Sequence, residues 1–135
     1  MLGLDGHALR SIRCVHVVAR PEALDGARWF GFGDDVPVVL RLSPDEALGL
    51  MAWRVEVDDP DAIVEEDSGF AAGWCHQLGL DEHVEWPIPD TPGTLAQGAV
   101  AGVPAKIWIG DDEEILLVTS AAYAAELGDR IGWDR

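Results

Sequence analysis

Two segments of this chain repeat the same order of local signals, and that order limits the fold more than any other feature. Residues 27–50 and 105–127 each contain two β-prone runs joined at a Gly-Asp turn and followed by a serine. Glycine and aspartate favour tight turns and serine is a preferred N-cap, so each segment predicts a β-hairpin followed by a helix. We therefore expect an α+β fold with a mainly antiparallel sheet and two or three helices on one face.

The two segments also resemble each other in sequence. With one gap, the alignment matches Ala, Gly, Asp, Asp, Leu, Ser, Ala and Leu, and it places Arg28 opposite Lys106. An internal duplication would produce this similarity and would give a pseudo-twofold pair of hairpin-helix units sharing one sheet. Frequent use of Gly-Asp turns and serine caps would produce it as well, so both explanations stay open.

The first half of the chain predicts three strands and one well-marked helix. The strands cover residues 11–19, 27–32 and 36–42, and the last two form the first hairpin around Gly33. The sequence Ser43-Pro44-Asp45-Glu46 has serine at the N-cap, proline at N1 and glutamate at N3 of a helix. It predicts a helix over residues 44–53.

The second half predicts shorter elements and one long loop. Phe70, Trp74 and Leu78 recur at every fourth position, which predicts a helix beginning at Asp67 or Ser68. Three prolines favour an irregular loop over residues 80–93. The remaining predictions are short strands at 54–57 and 62–65, a strand at 95–103, a hairpin of strands 105–109 and 114–118, and a final helix capped by Ser120.

Length and composition predict a single folded domain over residues 1–135. Hydrophobic residues make up 48% of the chain, so its high net charge is not a sign of disorder. The first ten residues have no basic run followed by an apolar core, which predicts no secretory signal and a cytoplasmic protein. We expect Cys14 and Cys75 to be reduced, because two cysteines do not make a disulfide framework.

The charge balance restricts the kinds of partner. There are 25 Asp and Glu residues against 9 Lys and Arg residues, for a formal net charge of -16. Such a surface repels phosphates, so we expect no nucleic-acid and no membrane partner. Two interpretations remain, namely hydration of the surface in a salt-rich cytoplasm or attraction of a basic protein partner.

No pattern in the chain is typical of a metal, cofactor or catalytic site. Cys14, His16, Cys75 and His76 supply zinc-binding residue types without the usual spacing, and the acidic runs do not fit a calcium loop, although the run over 58–67 leaves weak cation binding open. Nucleophile-elbow and phosphate-binding glycine motifs are missing from the sequence. We expect no metal and no cofactor, and an enzyme using Cys75, His76 or His83 is the third choice of function.

The strongest recognition signal is the proline-stiffened loop that carries Trp86 and Ile88. Acidic residues flank these two apolar side chains, and rigid aromatic anchors ringed by polar groups are typical of protein interfaces. The predicted partner-binding residues are Trp86, Ile88, Glu82, Glu85 and Asp90, although packing within its own domain is the stronger explanation of the tryptophan.

The sequence thus predicts a small acidic protein-binding module that acts without catalysis, such as an inhibitor, immunity or accessory protein. The alternative is a small-molecule-binding or regulatory domain of a halophilic organism. A homodimer formed through an open sheet edge is also consistent with the predicted strands.

Overall fold

The computed structural model describes residues 8–133, except for the side chain of residue 78. The strands are β1 (Arg10–Val18), β2 (Arg28–Gly31), β3 (Val38–Ser43), β4 (Glu46–Leu50), β5 (Ala52–Glu56), β6 (Ile63–His76), β7 (Leu95–Val100), β8 (Val103–Ile109) and β9 (Glu114–Ser120). The helices are α1 (Pro21–Asp25), α2 (Gln77–Asp81) and α3 (Ala124–Ile131), and a 3-10 turn (Ala121–Tyr123) precedes α3. The protein is therefore mostly antiparallel sheet with few helices, which confirms the coarse fold prediction.

The chain divides into two compact units, and β6 runs through both. Within the described part, the first unit holds residues 12–68 and the second holds residues 8–11 and 69–133. That all of residues 1–135 form a single domain stays a prediction.

The first unit contains two small antiparallel arrangements. Strands β3, β4 and β1 lie side by side, while β2 pairs with β5 in a separate two-stranded sheet. Trp29 of β2 lies over Gly49 of β4, where a Cβ atom would overlap the indole ring. This contact joins the two arrangements through an apolar cluster that includes Val15, Val17 and Leu24.

The predicted helix over residues 44–53 is wrong, because this segment forms β4 and the start of β5. Ser43 pairs with Glu46 across a tight turn, and the Ser43 hydroxyl donates to Asp45 Oδ1 at 2.8 Å. Proline followed by aspartate suits the centre of a β-turn as well as the first turn of a helix. The serine therefore caps a turn between strands, and residues 47–50 are buried on both faces of the sheet.

The predicted first hairpin is also wrong in its pairing. Both strands exist, but β2 pairs with β5 and β3 pairs with β4. The strand β3 is followed by the strands β4 and β5 and not by a helix, so residues 27–50 do not form a hairpin-helix unit. The predicted pseudo-twofold pair of hairpin-helix units is therefore wrong. Duplication of the two segments, and helices on one face, stay predictions.

The second unit follows the sequence prediction more closely. The C-terminal half of β6 pairs with β9, which pairs with β8, which pairs with β7. The hairpin of β8 and β9 and the following helix confirm the elements predicted for 105–127, and the Ser120 hydroxyl accepts from Ala122 N at 3.4 Å. The single strand predicted over 95–103 is instead β7 and the start of β8, which turn at Ala101 and Gly102 with φ of 49° and 81°.

The helix predicted to begin at Asp67 or Ser68 is mostly strand, with α2 only at its end. A spacing of four residues is even, so Phe70 and Trp74 share one face of β6 just as they would share one face of a helix. The Trp74 ring makes an edge-to-face contact with Trp108 of β8, with ring centroids 6.1 Å apart and planes at 73°. Periodicity alone could not separate these alternatives.

The opposite face of this sheet forms the core of the second unit. Its buried residues are mainly Ile, Leu and Val from β8 and β9, together with Leu127 and Ile131 of α3. The helix ends at Gly132, which has a left-handed φ of 76°. This core also supports the irregular loop of residues 82–94, which the prolines predicted correctly.

Candidate functional site

Trp86 lies in the irregular loop and is packed against its own unit. Its Nε1 donates to Ala99 O at 2.9 Å, and its ring lies on Gly98, where a Cβ would come within 2.8 Å of Nε1. Ile88 packs against the same core, and both side chains are half-buried. These contacts anchor the loop to β7, and the predicted role of Trp86 and Ile88 in partner binding stays a prediction.

The predicted acidic residues of the loop face solvent. Glu82, Glu85 and Asp90 are exposed. Asp90 lines a crevice of about 340 Å³ together with Asp81, Asp112 and Glu113, and none of the described residues that line it is basic. Carboxylates concentrated in one concave region attract a cationic group. The structure thus brings Asp90 together with acids from α2 and the turn before β9.

Aromatic side chains form an exposed patch on the first unit. We call Phe30, Phe32, Val36 and Trp53 the aromatic patch; the last three are 41%, 70% and 47% exposed. Trp53 Nε1 donates to Gly31 O at 2.9 Å, which holds the indole beside the backbone that carries Phe30 and Phe32. Exposed apolar side chains on neighbouring segments often mark interaction sites.

Three arginines stack on the rings of the aromatic patch. The Cζ of Arg54 lies 4.8 Å from the Phe30 ring centre, Arg28 lies at 5.8 Å from the same ring, and Arg13 lies 5.8 Å from the Phe32 ring. Glu56 pairs with both Arg54 and Arg28, at 2.7 and 3.9 Å. Each guanidinium is therefore held against an aromatic surface, as in cation–π contacts.

The cysteine and histidine residues considered as catalytic candidates differ in their burial. Burial, followed by the negative charge of Asp67, raises the pKa of Cys14 to about 12, and burial alone raises the pKa of Cys75 to about 12. A nucleophilic cysteine needs a lowered pKa, so both shifts run against a thiolate role. Of the other candidates, His16 Nε2 lies 2.7 Å from Glu46, His83 Nε2 lies 3.4 Å from Glu82, and His76 is exposed.

In the acidic run after β5, Asp59 is held by two backbone hydrogen bonds, one from within the run and one from Arg20. Asp59 accepts hydrogen bonds from Arg20 N and Asp61 N, both at 2.9 Å, and these bonds lower the pKa of its carboxyl. The guanidinium of Arg20 adds a smaller effect in the same direction. Among residues 8–133, no three His, Cys, Asp or Glu side chains are grouped so as to hold a metal ion.

Sequence reasoning missed the aromatic patch because it assigned Trp53 to a helix facing the core. A strand reverses its side-chain direction at each residue, so Ala52 is buried while Trp53 is exposed. The usable signal was a cluster of arginines and aromatics within residues 28–32 and 53–54 of a chain with few bases. Within the described residues, no helix has the length and apolar character needed to cross a membrane.

Comparison with known proteins yields a fold and no family. No family model and no curated protein sequence matches the chain. A chain of the heterotetrameric sarcosine oxidase from Corynebacterium sp. U-96, solved in complex with pyrrole 2-carboxylate, has a similar structure with a TM-score of 0.62. The similarity covers 96% of this chain and 87% of that chain, at 16% sequence identity. At this identity the similarity concerns the fold alone.

Proposed function

We propose that this protein is a cytoplasmic accessory protein that binds another protein and has no catalytic role of its own. The observation that carries the proposal is the aromatic patch, in which Phe32, Val36 and Trp53 stay exposed although the chain has a core available. Tryptophan, phenylalanine and arginine are enriched in protein interfaces, and the patch with the arginines stacked on it combines all three. The free, buried Cys14 and Cys75 are consistent with a reducing compartment.

The patch has the features of an energetic centre for binding. Its rings are held in place before any partner arrives, by the Trp53 hydrogen bond and by the stacked arginines. Preformed side chains lose less conformational entropy on binding, so more of their contact energy contributes to affinity. Covering Phe32 and Trp53 would also remove exposed apolar surface from water.

The acidic surface supports the proposal that the partner is a basic protein. Glu82 and Glu85 are exposed on the loop, and Asp90 shares its crevice with three other carboxylates. A lysine or arginine of the partner entering this crevice would gain charge-assisted hydrogen bonds. In this proposal Trp86 and Ile88 act by holding the loop in position, and the net charge of -16 speeds encounter with the basic partner.

The similarity in fold to a chain of a multi-chain enzyme also supports the proposal of an accessory protein. The similar chain belongs to an enzyme described as heterotetrameric, so a chain of this fold occurs there within an assembly of several chains. We extend this to the present protein as an accessory subunit, in preference to an inhibitor or immunity protein. Self-association into a homodimer remains the competing assembly, and hydration of the acidic surface in a salt-rich cytoplasm remains the competing use of the charge.

The experiment is a pull-down with the tagged protein from lysate of its source, with quantitative mass spectrometry of the bound proteins. The variants are Phe32→Ser with Trp53→Ser, and Glu82→Gln with Glu85→Gln and Asp90→Asn. Tyr123→Ser is the matched control, because Tyr123 is an aromatic residue of similar exposure in the second unit. Thermal unfolding of each variant confirms that it is folded.

We expect one basic protein to be retained by the wild type and by Tyr123→Ser. Loss of a hot-spot aromatic costs about 2 kcal/mol or more, so the patch variant should bind it about 30-fold more weakly. The acid variant should bind more slowly and should lose the salt dependence of binding. Recovery of the same proteins by the wild type and the patch variant, or of none by either, would contradict the proposal.

A further inference from the structure

The second unit contains an open groove of about 420 Å³ on one face of its sheet. Strand pairing places Gln97, Lys106 and Val118 side by side across β7, β8 and β9. Phe70 of β6 and Tyr123 of the 3-10 turn form aromatic walls. The volume lies within the range of about 300 to 1,000 Å³ that is usual for small-molecule sites.

The charge of this groove is opposite to that of the molecule. Among residues 8–133, none that lines the groove is Asp or Glu, although the chain has 25 of them. Lys106 is the only lysine in the sequence, and it makes no ion pair with any residue of the described chain. Its Nζ lies 5.9 Å from the centre of the Phe70 ring. The ammonium group is therefore kept over an aromatic wall with its charge unneutralised by a carboxylate.

The other polar groups of the groove are already engaged or neutral. The Thr119 hydroxyl donates to Pro104 O at 2.9 Å, and the Ser120 hydroxyl accepts from Ala122 N. This leaves the Lys106 ammonium, the neighbouring Gln97 amide and the Tyr123 hydroxyl to meet a ligand. Beyond Gly102, on the rim, Arg130 is paired with Glu126 at 2.6 Å and adds no free charge.

We propose that this groove binds a small organic carboxylate with a compact apolar body. The carboxylate pairs with Lys106 and accepts from the Gln97 amide, while the apolar body lies between Phe70 and Tyr123. A cation without a competing carboxylate selects an anion, and an aromatic, mostly apolar wall selects against a fully hydrated one such as phosphate. This site is separate from the aromatic patch and does not depend on the proposed protein partner.

The test is a titration of the full-length, isotope-labelled protein with benzoate, followed by amide NMR shifts. Benzamide is the neutral ligand of the same shape, and benzylammonium is its cationic counterpart. We expect benzoate to shift residues 97–98, 102–106 and 118–123, and the other two ligands to shift them far less. Inorganic phosphate should bind more weakly than benzoate.

Two variants and one control locate the charge. Lys106→Met should weaken benzoate binding about fivefold or more, while Lys106→Arg should retain most of it. Arg20→Met removes one positive charge from the exposed surface of the first unit and should leave the affinity unchanged. If Lys106→Met is unstable, Gln97→Leu tests the same groove from β7, with a smaller expected loss.

Three results would overturn the proposal. These are absence of benzoate-induced shifts at the groove residues, equal shifts with benzamide, and equal affinities for the wild type and Lys106→Met. If the first result is accompanied by protection of the groove from hydrogen exchange in a complex with a protein partner, the groove belongs to that partner's interface instead.

Discussion

Both units place a tryptophan ring on a strand glycine, but they build different surfaces around it. In the first unit Trp29 of β2 covers Gly49, and in the second Trp86 of the loop covers Gly98. Among the described residues, six of the seven exposed large hydrophobic side chains lie in the first unit, and Tyr123 is the exception in the second. The same tryptophan-on-glycine contact therefore occurs beside an exposed apolar surface in the first unit and beside a mostly buried one in the second.

The difference follows from what surrounds each ring. The second unit has a continuous cluster of buried Ile, Leu and Val from strands and helix, and Trp86 closes one side of it. In the first unit, Trp29 packs the two-stranded sheet of β2 and β5 against β4, and strand β5 exposes Trp53. Central packing of Trp29 and peripheral packing of Trp86 predict different sensitivities to substitution.

The largest expected effect is that of Gly49→Ala in the first unit. The new Cβ would overlap the Trp29 ring and would force the two sheets apart, which we expect to cost about 3 kcal/mol of unfolding free energy. Urea unfolding measures the loss, and Trp29→Leu combined with Gly49→Ala should recover part of it. A loss below about 0.5 kcal/mol would mean that Trp29 is not a central contact.

The next effect compares the two buried thiols at alkaline pH. Both pKa values are raised from 9.0 to about 12, so unfolding releases protons above pH 9 and the folded state loses stability between pH 9 and 12. At about pH 10 we expect a loss of about 1.4 kcal/mol for each thiol. Cys14→Ala and Cys75→Ala should each reduce this pH dependence by half.

The substitution Asp67→Asn should change the reactivity of the thiol in the first unit without changing that of the thiol in the second. The charge of Asp67 raises the pKa of Cys14 but is not a cause of the shift of Cys75. Alkylation of the folded protein at high pH should therefore become faster at Cys14 and stay unchanged at Cys75. Equal acceleration at both thiols would show that the variant loosens the fold instead of changing local charge.

Gly98→Ala should have a smaller effect than Gly49→Ala. Its Cβ would come within 2.8 Å of Trp86, which is a milder overlap than the one between Gly49 and Trp29, and Trp86 can shift with its loop. We expect a loss of about 1 kcal/mol, measured by urea unfolding. Gly79→Ala is the control, because no atom lies within 4 Å of its added Cβ. Equal losses for the two tryptophan-covered glycines would contradict the contrast between central and peripheral packing.

The smallest effect concerns Asp59 at the surface of the first unit. Hydrogen bonds from Arg20 N and Asp61 N lower its pKa, so its contribution to stability is present above pH 3.8 and is lost as the pH falls further. Asp59→Asn should lower the Tm slightly at neutral pH, and the difference from the wild type should shrink in acid. Asp34→Asn, at an exposed turn, is the control for loss of one surface carboxylate, and its Tm at neutral pH should match that of the wild type.

The comparison also shows which parts of the fold the sequence could predict. In the second unit, the Gly-Asp turn predicts only a hairpin and Ser120 predicts only a helix start. Both the hairpin and the helix are confirmed. In the first unit, Ser43-Pro44-Asp45-Glu46 suits both a helix start and a β-turn, and the long-range pairing of β2 with β5 decides between them. Local signals fail where distant strands determine the outcome.

The candidate sites were harder to predict than the fold. The exposed acids Glu82, Glu85 and Asp90 followed from sequence, because charged residues in a loop stay in water. The groove around Lys106 could not be predicted, since its lining comes from four strands whose register no local pattern fixes. Lysine scarcity was visible in the sequence, but the missing carboxylates around Lys106 are a property of the folded sheet.

The edge-to-face pair of Trp74 and Trp108 gives the second unit an optical signature of its own. Two indoles 6.1 Å apart with planes at 73° couple their electronic transitions in a chiral arrangement. Such coupling produces a paired circular dichroism band that disappears as soon as β6 and β8 separate. The band would follow the melting of this sheet without any attached dye, while the emission of Trp53 would respond to whatever covers the aromatic patch.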